Sequence, residues 1–292
     1  MFNLKNMLKR HEGLYKVYQN VGWQVHKMQD LKSFFWPKDL HGVIEPFGFR
    51  FVGPDVPATR AMLRGIFETE ELTAVVASLL AAEMFVDVGA NVGLYTCIAR
   101  HMGKHALSIE PQPGNLGYLL RNLTLNGWSD AEVWPVGISS KAGLLTLFGA
   151  SGPSASLIKG WAGYSARFQQ TIPVTTLDVL IGDRYAGKRL FIKIDVEGAE
   201  YGVLLGAEHT LALEPKPIWM VEICLSEYHP GGINPNYKKA FDLFRSHGYQ
   251  ARAMGPVAKI ILPEDVDRWV AEGKTDDGVI NFLFSQGDLF GR

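Results

Sequence analysis

A short apolar run followed by a glycine-rich turn is the strongest chemical signal in the sequence. Residues 84–93 read MFVDVGANVG, which predicts a buried strand that enters a tight turn and then a helix. Glycine at positions 89 and 93 lets the backbone bend sharply and approach a ligand without a Cβ in the way. In an open α/β sheet, ligands bind beyond the carboxyl ends of the strands, where such turns lie. The residues expected to hold a cofactor here are Asp87, Gly89, Ala90, Asn91 and Gly93.

The spacing of the glycines discriminates between two classes of cofactor. A dinucleotide-binding turn needs G-x-G-x-x-G, because its second glycine clears room for a pyrophosphate at the helix N-terminus. Read from Gly89, the second and third glycine positions hold Asn91 and Leu94. The observed D-x-G-x-x-x-G suits a ligand without a pyrophosphate, such as S-adenosylmethionine. A purely structural glycine turn is the other interpretation of the same residues.

An acidic residue follows the next apolar run at a spacing that supports cofactor binding. Glu110 lies 21 residues after Gly89, about where an acid at the end of the second strand accepts hydrogen bonds from both ribose hydroxyls. An isolated glutamate at a strand end is usually just solvated, but the glycine turn at this distance favours the functional interpretation. Pro111 follows directly, and Gly137, after the third strand, is expected near the adenine.

A second group of charged residues lies where the fourth strand meets the following helix, in FIKIDVEGAE at residues 191–200. Lys193 and Asp195 alternate on one face of the strand, and a lysine inside an apolar strand is costly unless it is paired. Glu197 and Glu200 also suit a helix N-terminus, so capping is their simpler interpretation. For Asp195 we favour a role in the site.

The fifth strand adds further candidates for the same edge of the sheet. Glu222 ends that strand and His229 follows in the loop, so both are expected to converge with Asp195. Three such groups could bind a divalent cation, or serve as base, substrate anchor and bystander. We do not favour the metal.

These residues require a scaffold of alternating strands and helices, and the chain supplies the pattern of a doubly wound sheet. A hairpin is expected over residues 44–52 around Gly48, and a helix over 70–82. Two late runs, 250–254 and 280–284, are expected to be edge strands. An insertion through residues 144–163 should form a hairpin or loop near the site. The other expected strands are 84–88, 106–109, 133–136, 190–194 and 218–223, and the other helices are 94–102, 114–126, 199–213 and 236–246.

Bulk composition excludes several classes of protein. The 292 residues carry a formal net charge of −1, which lacks the basic footprint of a nucleic-acid-binding protein. Two cysteines, Cys97 and Cys224, are too few for a disulfide framework and fit a reducing compartment. Charges interrupt the N-terminal stretch, and no run is long enough to span a bilayer. We therefore expect a cytoplasmic protein without an integral membrane segment, and its oligomeric state stays open.

The longer motifs resemble the FkbM-type methyltransferases, a branch of the class I enzymes that act mainly on hydroxyl groups of sugars and polyketide-type natural products. The resemblance covers about residues 65–247, and IKIDVEGAEYGVLLGA is its most specific motif. It includes Glu68, which we expect to contact the cofactor. It implies a Rossmann-like, seven-stranded, mostly parallel sheet. Residues 1–60 match no motif of this family, and from their own pattern we expect an N-terminal helical and hairpin extension. The domains would be an extension at 1–64, acting as a lid over the acceptor, and a catalytic domain at 65–292.

The resemblance implies O-methyl transfer from S-adenosylmethionine to a small-molecule or glycan acceptor. Asp195 is expected to accept the acceptor's proton or to orient the base, with His229 as the alternative base. Lys193, Glu197 and Glu222 are expected to contact the acceptor. Trp161 and Tyr164 would stack on a sugar face, or pack as lid or core. The competing functions are an NAD-dependent oxidoreductase and a non-catalytic protein that binds S-adenosylmethionine.

Overall fold

The computed structural model describes residues 38–149, 155–254 and 259–287. The strands are β1 (Asp39–Ile44), β2 (Phe49–Pro54), β3 (Met84–Val88), β4 (His105–Ile109), β5 (Glu132–Trp134), β6 (Gly137–Ile138), β7 (Gly143–Phe148), β8 (Gln169–Thr175), β9 (Leu190–Ile194), β10 (Ile218–Glu222), β11 (Gln250–Ala253), β12 (Ile260–Ile261) and β13 (Asn281–Ser285). The helices are α1 (Pro57–Leu63), α2 (Thr69–Ala81), α3 (Leu94–His101), α4 (Pro113–Leu125), α5 (Leu177–Ile181), α6 (Glu200–Leu205), α7 (Glu208–Ala212), α8 (Tyr237–Ser246) and α9 (Pro263–Glu272).

The main sheet has the strand order β12-β11-β13-β10-β9-β3-β4-β5. Strands β10, β9, β3, β4 and β5 are parallel, and β13 pairs antiparallel with both β10 and β11. The chain reverses its direction of winding between β3 and β9, and this point of an open α/β sheet is where ligands bind. The expected doubly wound, mostly parallel sheet is confirmed, with β12 as an additional short strand.

The sheet is buried on both faces, which explains why its central strands are apolar without alternation. All five residues of β3 are buried. Met84, Val86 and Val88 pack into a core with helices α5 to α9, whereas Phe85 packs into a second core with helices α1 to α4. The two layers of helices leave the carboxyl ends of the parallel strands as the accessible edge of the sheet.

The expectation that residues 280–284 form an edge strand is wrong. Strand β13 lies between β10 and β11, and all five of its residues are buried. The run 250–254 is not outermost either, because β12 pairs with β11 on its free side. A sequence of buried residues without a polar face fits an interior position better than an edge.

The expected helix over residues 199–213 is divided into α6 and α7. A Cβ on Gly206, between them, would lie 2.3 Å from the carbonyl oxygen of Ser139, so this backbone packs against another loop. The Asp178 N–H also donates to the Gly206 carbonyl oxygen at 3.0 Å. These contacts hold the segment in two short helices.

The insertion and the hairpin pack on opposite sides of the sheet domain. Strands β6, β8 and β7 form a three-stranded sheet with an apolar face of Leu147, Ile172 and Val174. The hairpin β1–β2 turns at Gly48 as expected, and Asn122 of α4 exchanges two hydrogen bonds with the backbone of Val52. The boundary at residue 64 stays a prediction. The expected N-terminal helix falls on residues 1–37, outside the described residues.

Within the described part of the chain, no helix is both long enough and apolar enough to cross a membrane.

Candidate active site

A cleft lies beyond the carboxyl ends of β3, β4, β9 and β10. The sequence predicts the glycine turn and the acidic site residues at this edge of the sheet. The cleft encloses about 880 Å³, part of which is open to solvent. Its lining consists of Phe67, Glu68, Val88, Gly89, Asn91, Ile109, Glu110, Pro111, Asn115, Val136, Gly137, Ile138, Leu147, Ala155, Leu157, Ile172, Asp195, Val196, Glu197 and Glu222.

The glycine turn brings the ends of three strands together. Gly89 has a φ of +86°, and a Cβ there would lie 1.9 Å from the carbonyl oxygen of Asp195. The N–H groups of Gly89 and Ala90 both donate to the Ile109 carbonyl oxygen at 3.0 Å. Only glycine tolerates this conformation and this approach together. The turn is therefore fixed between the cofactor side and the Asp195 side of the cleft.

Glu110 is held as an acceptor inside the cleft. One carboxylate oxygen accepts from the N–H of Asn91 at 2.8 Å, and the other accepts from the N–H of Gln112 at 2.8 Å. Asn115 Nδ2 lies 3.4 Å from the latter oxygen. Burial raises the pKa of Glu110 to about 7. The oxygen that accepts from Asn91 has one more acceptor site, so the carboxylate can receive a hydrogen bond from a ribose hydroxyl.

Asp87, Ala90 and Gly93, all expected to contact the cofactor, lie outside the lining of the cleft. Asp87 is fully buried, and its carboxylate accepts a hydrogen bond from Thr96 Oγ1 at 2.6 Å. A Cβ on Gly93 would lie 2.5 Å from Leu119 Cδ1, so this glycine lets α3 pack against α4. Asp87, Ala90 and Gly93 therefore stabilise the glycine turn on the side that faces the protein interior.

Lys193 and Asp195 form an ion pair at the other end of the cleft. Lys193 Nζ lies 2.8 Å from Asp195 Oδ2 and 4.8 Å from the ring centre of Tyr95. Burial alone would lower the pKa of Lys193, but the carboxylates of Asp195, Asp87 and Glu68 raise it above its ordinary value. Lys193 is buried behind Asp195 and does not line the cleft. It acts on the site through Asp195.

Three further carboxylic acids line this end. Burial and the charge of Asp195 raise the pKa of both Glu197 and Glu222 well above its usual value. Burial raises the pKa of Glu68, whose carboxylate accepts a hydrogen bond from the hydroxyl of Tyr95. The cleft is thus lined by the hydrogen-bonded Glu110 carboxyl group beyond β4 and by several further carboxyl groups beyond β9 and β10.

Trp161, Tyr164 and His229 also lie outside the lining. Trp161 is 2% exposed and packs with the half-buried Tyr164 in a small apolar cluster. His229 lies against the Trp161 ring, and its Nδ1 accepts from the Gly231 N–H at 3.2 Å. Burial lowers the pKa of His229. None of the three presents a ring to the cleft in the way that sugar stacking requires.

Several lining residues escaped the sequence analysis. Asn115 was detectable, because it follows Glu110 at the start of a helix whose N-terminus faces the same edge. Leu147 of β7 and Ile172 of β8 form an apolar wall of the cleft. Their place there depends on how the insertion packs against the main sheet, and the sequence pattern of a short strand does not indicate this packing. The residues missed are Phe67, Val88, Ile109, Asn115, Val136, Leu147, Ala155, Leu157, Ile172 and Val196.

No group of three or more histidine, cysteine, aspartate or glutamate side chains is arranged to hold a metal ion among the described residues. Asp195 and Glu222 line the cleft but His229 does not, so the expected convergence extends to only two of the three.

Comparison with known proteins gives a consistent family. The model of the methyltransferase FkbM domain matches residues 87–251. Methyltransferase sdnD of Sordaria araneosa is 28% identical over 208 residues, which cover 58% of this chain and 78% of that protein.

Solved structures were matched at lower similarity. The ribosomal protein L11 methylase of Lactobacillus delbrueckii subsp. bulgaricus has a TM-score of 0.42 at 9% identity, over 75% of this chain and 77% of that one. A SAM-dependent methyltransferase of Agrobacterium tumefaciens has a TM-score of 0.41 at 10% identity, and the match covers 85% of this chain and 68% of that one.

Proposed function

The chain belongs to the FkbM family of S-adenosylmethionine-dependent methyltransferases, and on that premise we propose that it methylates a hydroxyl oxygen of a neutral sugar, glycan or polyketide-type acceptor. The observation that carries the proposal is the single cleft that Glu110 and Asp195 line together. The family decides against an NAD-dependent oxidoreductase, in agreement with the missing glycine at position 91.

The cofactor end of the cleft fits an adenosyl group. Glu110 would accept the ribose hydroxyls, and the turn from Gly89 to Asn91 would carry the chain around the ligand. Val136, Ile138 and Ile172 offer an apolar wall for a purine ring. When bound, S-adenosylmethionine supplies a methyl group already activated by the positive charge on sulfur.

The acceptor end favours an uncharged, hydroxylated molecule. Among the described residues that line the cleft, Glu68, Glu110, Asp195, Glu197 and Glu222 are carboxylic acids, and none is lysine, arginine or histidine. Carboxyl groups form hydrogen bonds with hydroxyl groups, whereas a phosphate would find no positively charged side chain in this lining and would be repelled by any acid that is ionised. A phosphorylated acceptor would therefore bind poorly.

Asp195 is suited to receive the hydroxyl proton. Lys193 donates to its Oδ2, which leaves Oδ1 for the acceptor, and the side chain is 28% exposed. Alignment of the reacting groups can contribute about 7–11 kcal/mol, whereas general base catalysis contributes about 10²–10⁴-fold in rate. The chain's main task is thus to position the acceptor, and Asp195 removes the proton.

The test is an assay with methyl-labelled S-adenosylmethionine and a panel of neutral glycosides, polyols and phenols, each beside its phosphorylated form. We expect label on oxygen of a neutral acceptor, identified by NMR of the product. Label on nitrogen or carbon would contradict the proposal, and tight cofactor binding without transfer would indicate a non-catalytic protein.

In the same assay, Asp195→Asn should lower turnover at least tenfold, because the amide keeps the shape but cannot take a proton. Cofactor affinity should stay within a few fold. Asp242→Asn, at an exposed position of helix α8, is the control and should leave both quantities unchanged. Normal turnover of Asp195→Asn would remove Asp195 from the mechanism.

Cofactor affinity should depend on pH through Glu110. Ribose hydroxyls bind the ionised carboxylate, so affinity should fall as pH drops through about 7, the pKa to which burial raises Glu110. The expected loss approaches about tenfold for each further pH unit. Glu110→Gln should weaken binding about tenfold or more at pH 8 and abolish the pH dependence, since a hydrogen bond to a charged group is lost.

Calorimetric titration with S-adenosylhomocysteine between pH 6 and 8 measures this effect. Glu200→Gln is the matched control, because burial also raises the pKa of Glu200 to about 7 although it does not line the cleft. If Glu200→Gln loses the pH dependence and Glu110→Gln keeps it, the ribose assignment is wrong.

A further inference from the structure

We propose that Trp161 is a positioning residue that holds the Glu197 carboxylate at the wall of the cleft and thereby sets the binding of the acceptor. This inference rests on the proposed function in one respect, namely that Glu197 contacts the acceptor. It replaces the stacking role expected for Trp161, whose ring is buried rather than presented to the cleft.

The first support is a hydrogen bond between an apolar cluster and a cleft carboxylate. Trp161 Nε1 donates to Glu197 Oε2 at 2.6 Å. Glu197 lines the cleft, whereas Trp161 lies behind it. An indole N–H has one hydrogen to donate, so this bond fixes one carboxylate oxygen and leaves the other available. The direction of the Glu197 side chain is therefore determined by a residue 36 positions earlier in the chain.

The second support is the backbone that carries Glu197. Its φ is +54°, a conformation that is rare outside glycine, and Gly198 follows with a φ of +93°. A Cβ on Gly198 would lie 2.3 Å from Cζ3 of Trp161, so the indole ring packs directly on this peptide. The ring thus stabilises an unusual backbone conformation as well as orienting the carboxylate.

The third support is a parallel attachment through Ser156. The Ser156 hydroxyl donates to the carbonyl oxygen of Glu197 at 2.6 Å and accepts from the Ile158 N–H at 2.9 Å. Ser156 also pairs with Phe148 at the end of β7. The segment 155–164 is therefore fastened to Glu197 at both the main chain and the side chain. Substitutions in this segment should therefore change the binding of the acceptor rather than the binding of the cofactor.

The first test needs no acceptor and uses the indole ¹⁵N–¹H resonance of Trp161, assigned by its loss in Trp161→Phe. We expect this signal to be shifted downfield and protected from solvent exchange in the wild type. Glu197→Ala should move it upfield, because the hydrogen-bond acceptor is lost. An unchanged resonance in Glu197→Ala would overturn the assignment.

The second test is kinetic and uses the panel compound that is methylated fastest. Trp161→Phe should raise the acceptor KM or lower acceptor kcat/KM about tenfold, with cofactor affinity within twofold. Adding Trp161→Phe to Glu197→Ala should cost less than a further twofold, since the hydrogen bond between the two side chains is already absent. Trp269→Phe, equally buried at 1% exposure in α9, should leave these parameters unchanged.

The outcomes separate this inference from the proposed function. If Glu197→Ala leaves the acceptor kinetics unchanged, the acceptor role of Glu197 fails and the assignment of Trp161 fails with it. If Glu197→Ala impairs the acceptor step but Trp161→Phe adds its full effect on top, only the positioning role is overturned. Should Trp161→Phe not fold, Ser156→Ala tests the same attachment, and a selective change in acceptor KM is again expected.

Discussion

Replacing Lys193 with methionine should lower the free energy of unfolding by about 3–5 kcal/mol, the usual cost of removing one partner of a buried ion pair. Lys193 is 4% exposed and forms a 2.8 Å ion pair with Asp195. It also lies opposite the buried Asp87 in the register of β3 and β9. Methionine fills a similar volume, so the loss reports the missing charge rather than a cavity.

The destabilisation should depend on pH in a defined direction. Burial already raises the pKa of Asp87 and Glu68, and the positive charge of Lys193 opposes that rise. Without Lys193 the folded-state pKa values rise further above those of the unfolded chain. A carboxyl group with a raised pKa loses stability as pH increases through that value, so the variant should approach the wild type at low pH.

Chemical denaturation at pH 5.5 and 8 measures both effects. Lys238→Met is the control, since Lys238 pairs with Asp267 at the exposed surface, where a salt bridge contributes about 0–1 kcal/mol. Equal losses in the two lysine variants, or a gap that widens as pH falls, would contradict the charge-balance argument.

Much of the fold was predictable because its signals are local. The run 84–88 is buried on both faces, and the helix that follows begins at Leu94, directly after Gly93, so the strand, turn and helix could be identified from adjacent residues. The position of Glu110 relative to Gly89 was also predictable, because only the helix α3 and the strand β4 lie between these two residues. Both residues line the cleft.

The parts that escaped prediction depend on packing between distant segments. Nothing in the sequence places β13 between β10 and β11, since its strand pairing is non-local. The bond from Trp161 to Glu197 likewise requires the segment 155–164 to fold against β9 and its following loop. Asp87 differs from the other motif residues, because it is buried, accepts a hydrogen bond from Thr96 and lies outside the cleft lining. Sequence spacing thus identified several residues that line the cleft but not the apolar wall that distant segments contribute.

Gly89→Ala should have the largest effect on cofactor binding, with affinity reduced at least about 100-fold, or about 3 kcal/mol. The new methyl group would lie 1.9 Å from the Asp195 carbonyl oxygen and 2.9 Å from its carbonyl carbon. This clash is relieved only if the glycine turn at Gly89 moves away from the end of β9. These two segments join the two ends of the cleft. The φ of +86° adds a backbone cost of about 1–2 kcal/mol.

Gly103→Ala isolates the contribution of the close contact. Gly103 also has a positive φ, +74°, but a Cβ there would meet no atom within 4 Å. It lies in the turn between α3 and β4, away from the cleft lining. In denaturation experiments, the free energy of unfolding of this variant should fall only by the backbone cost of a positive φ. Its affinity for S-adenosylhomocysteine should stay within twofold of the wild type. If calorimetry gives the two variants equal affinities, the approach of Gly89 to Asp195 is not what shapes the site, and the geometry linking the cofactor end to the acceptor end must lie elsewhere in the turn.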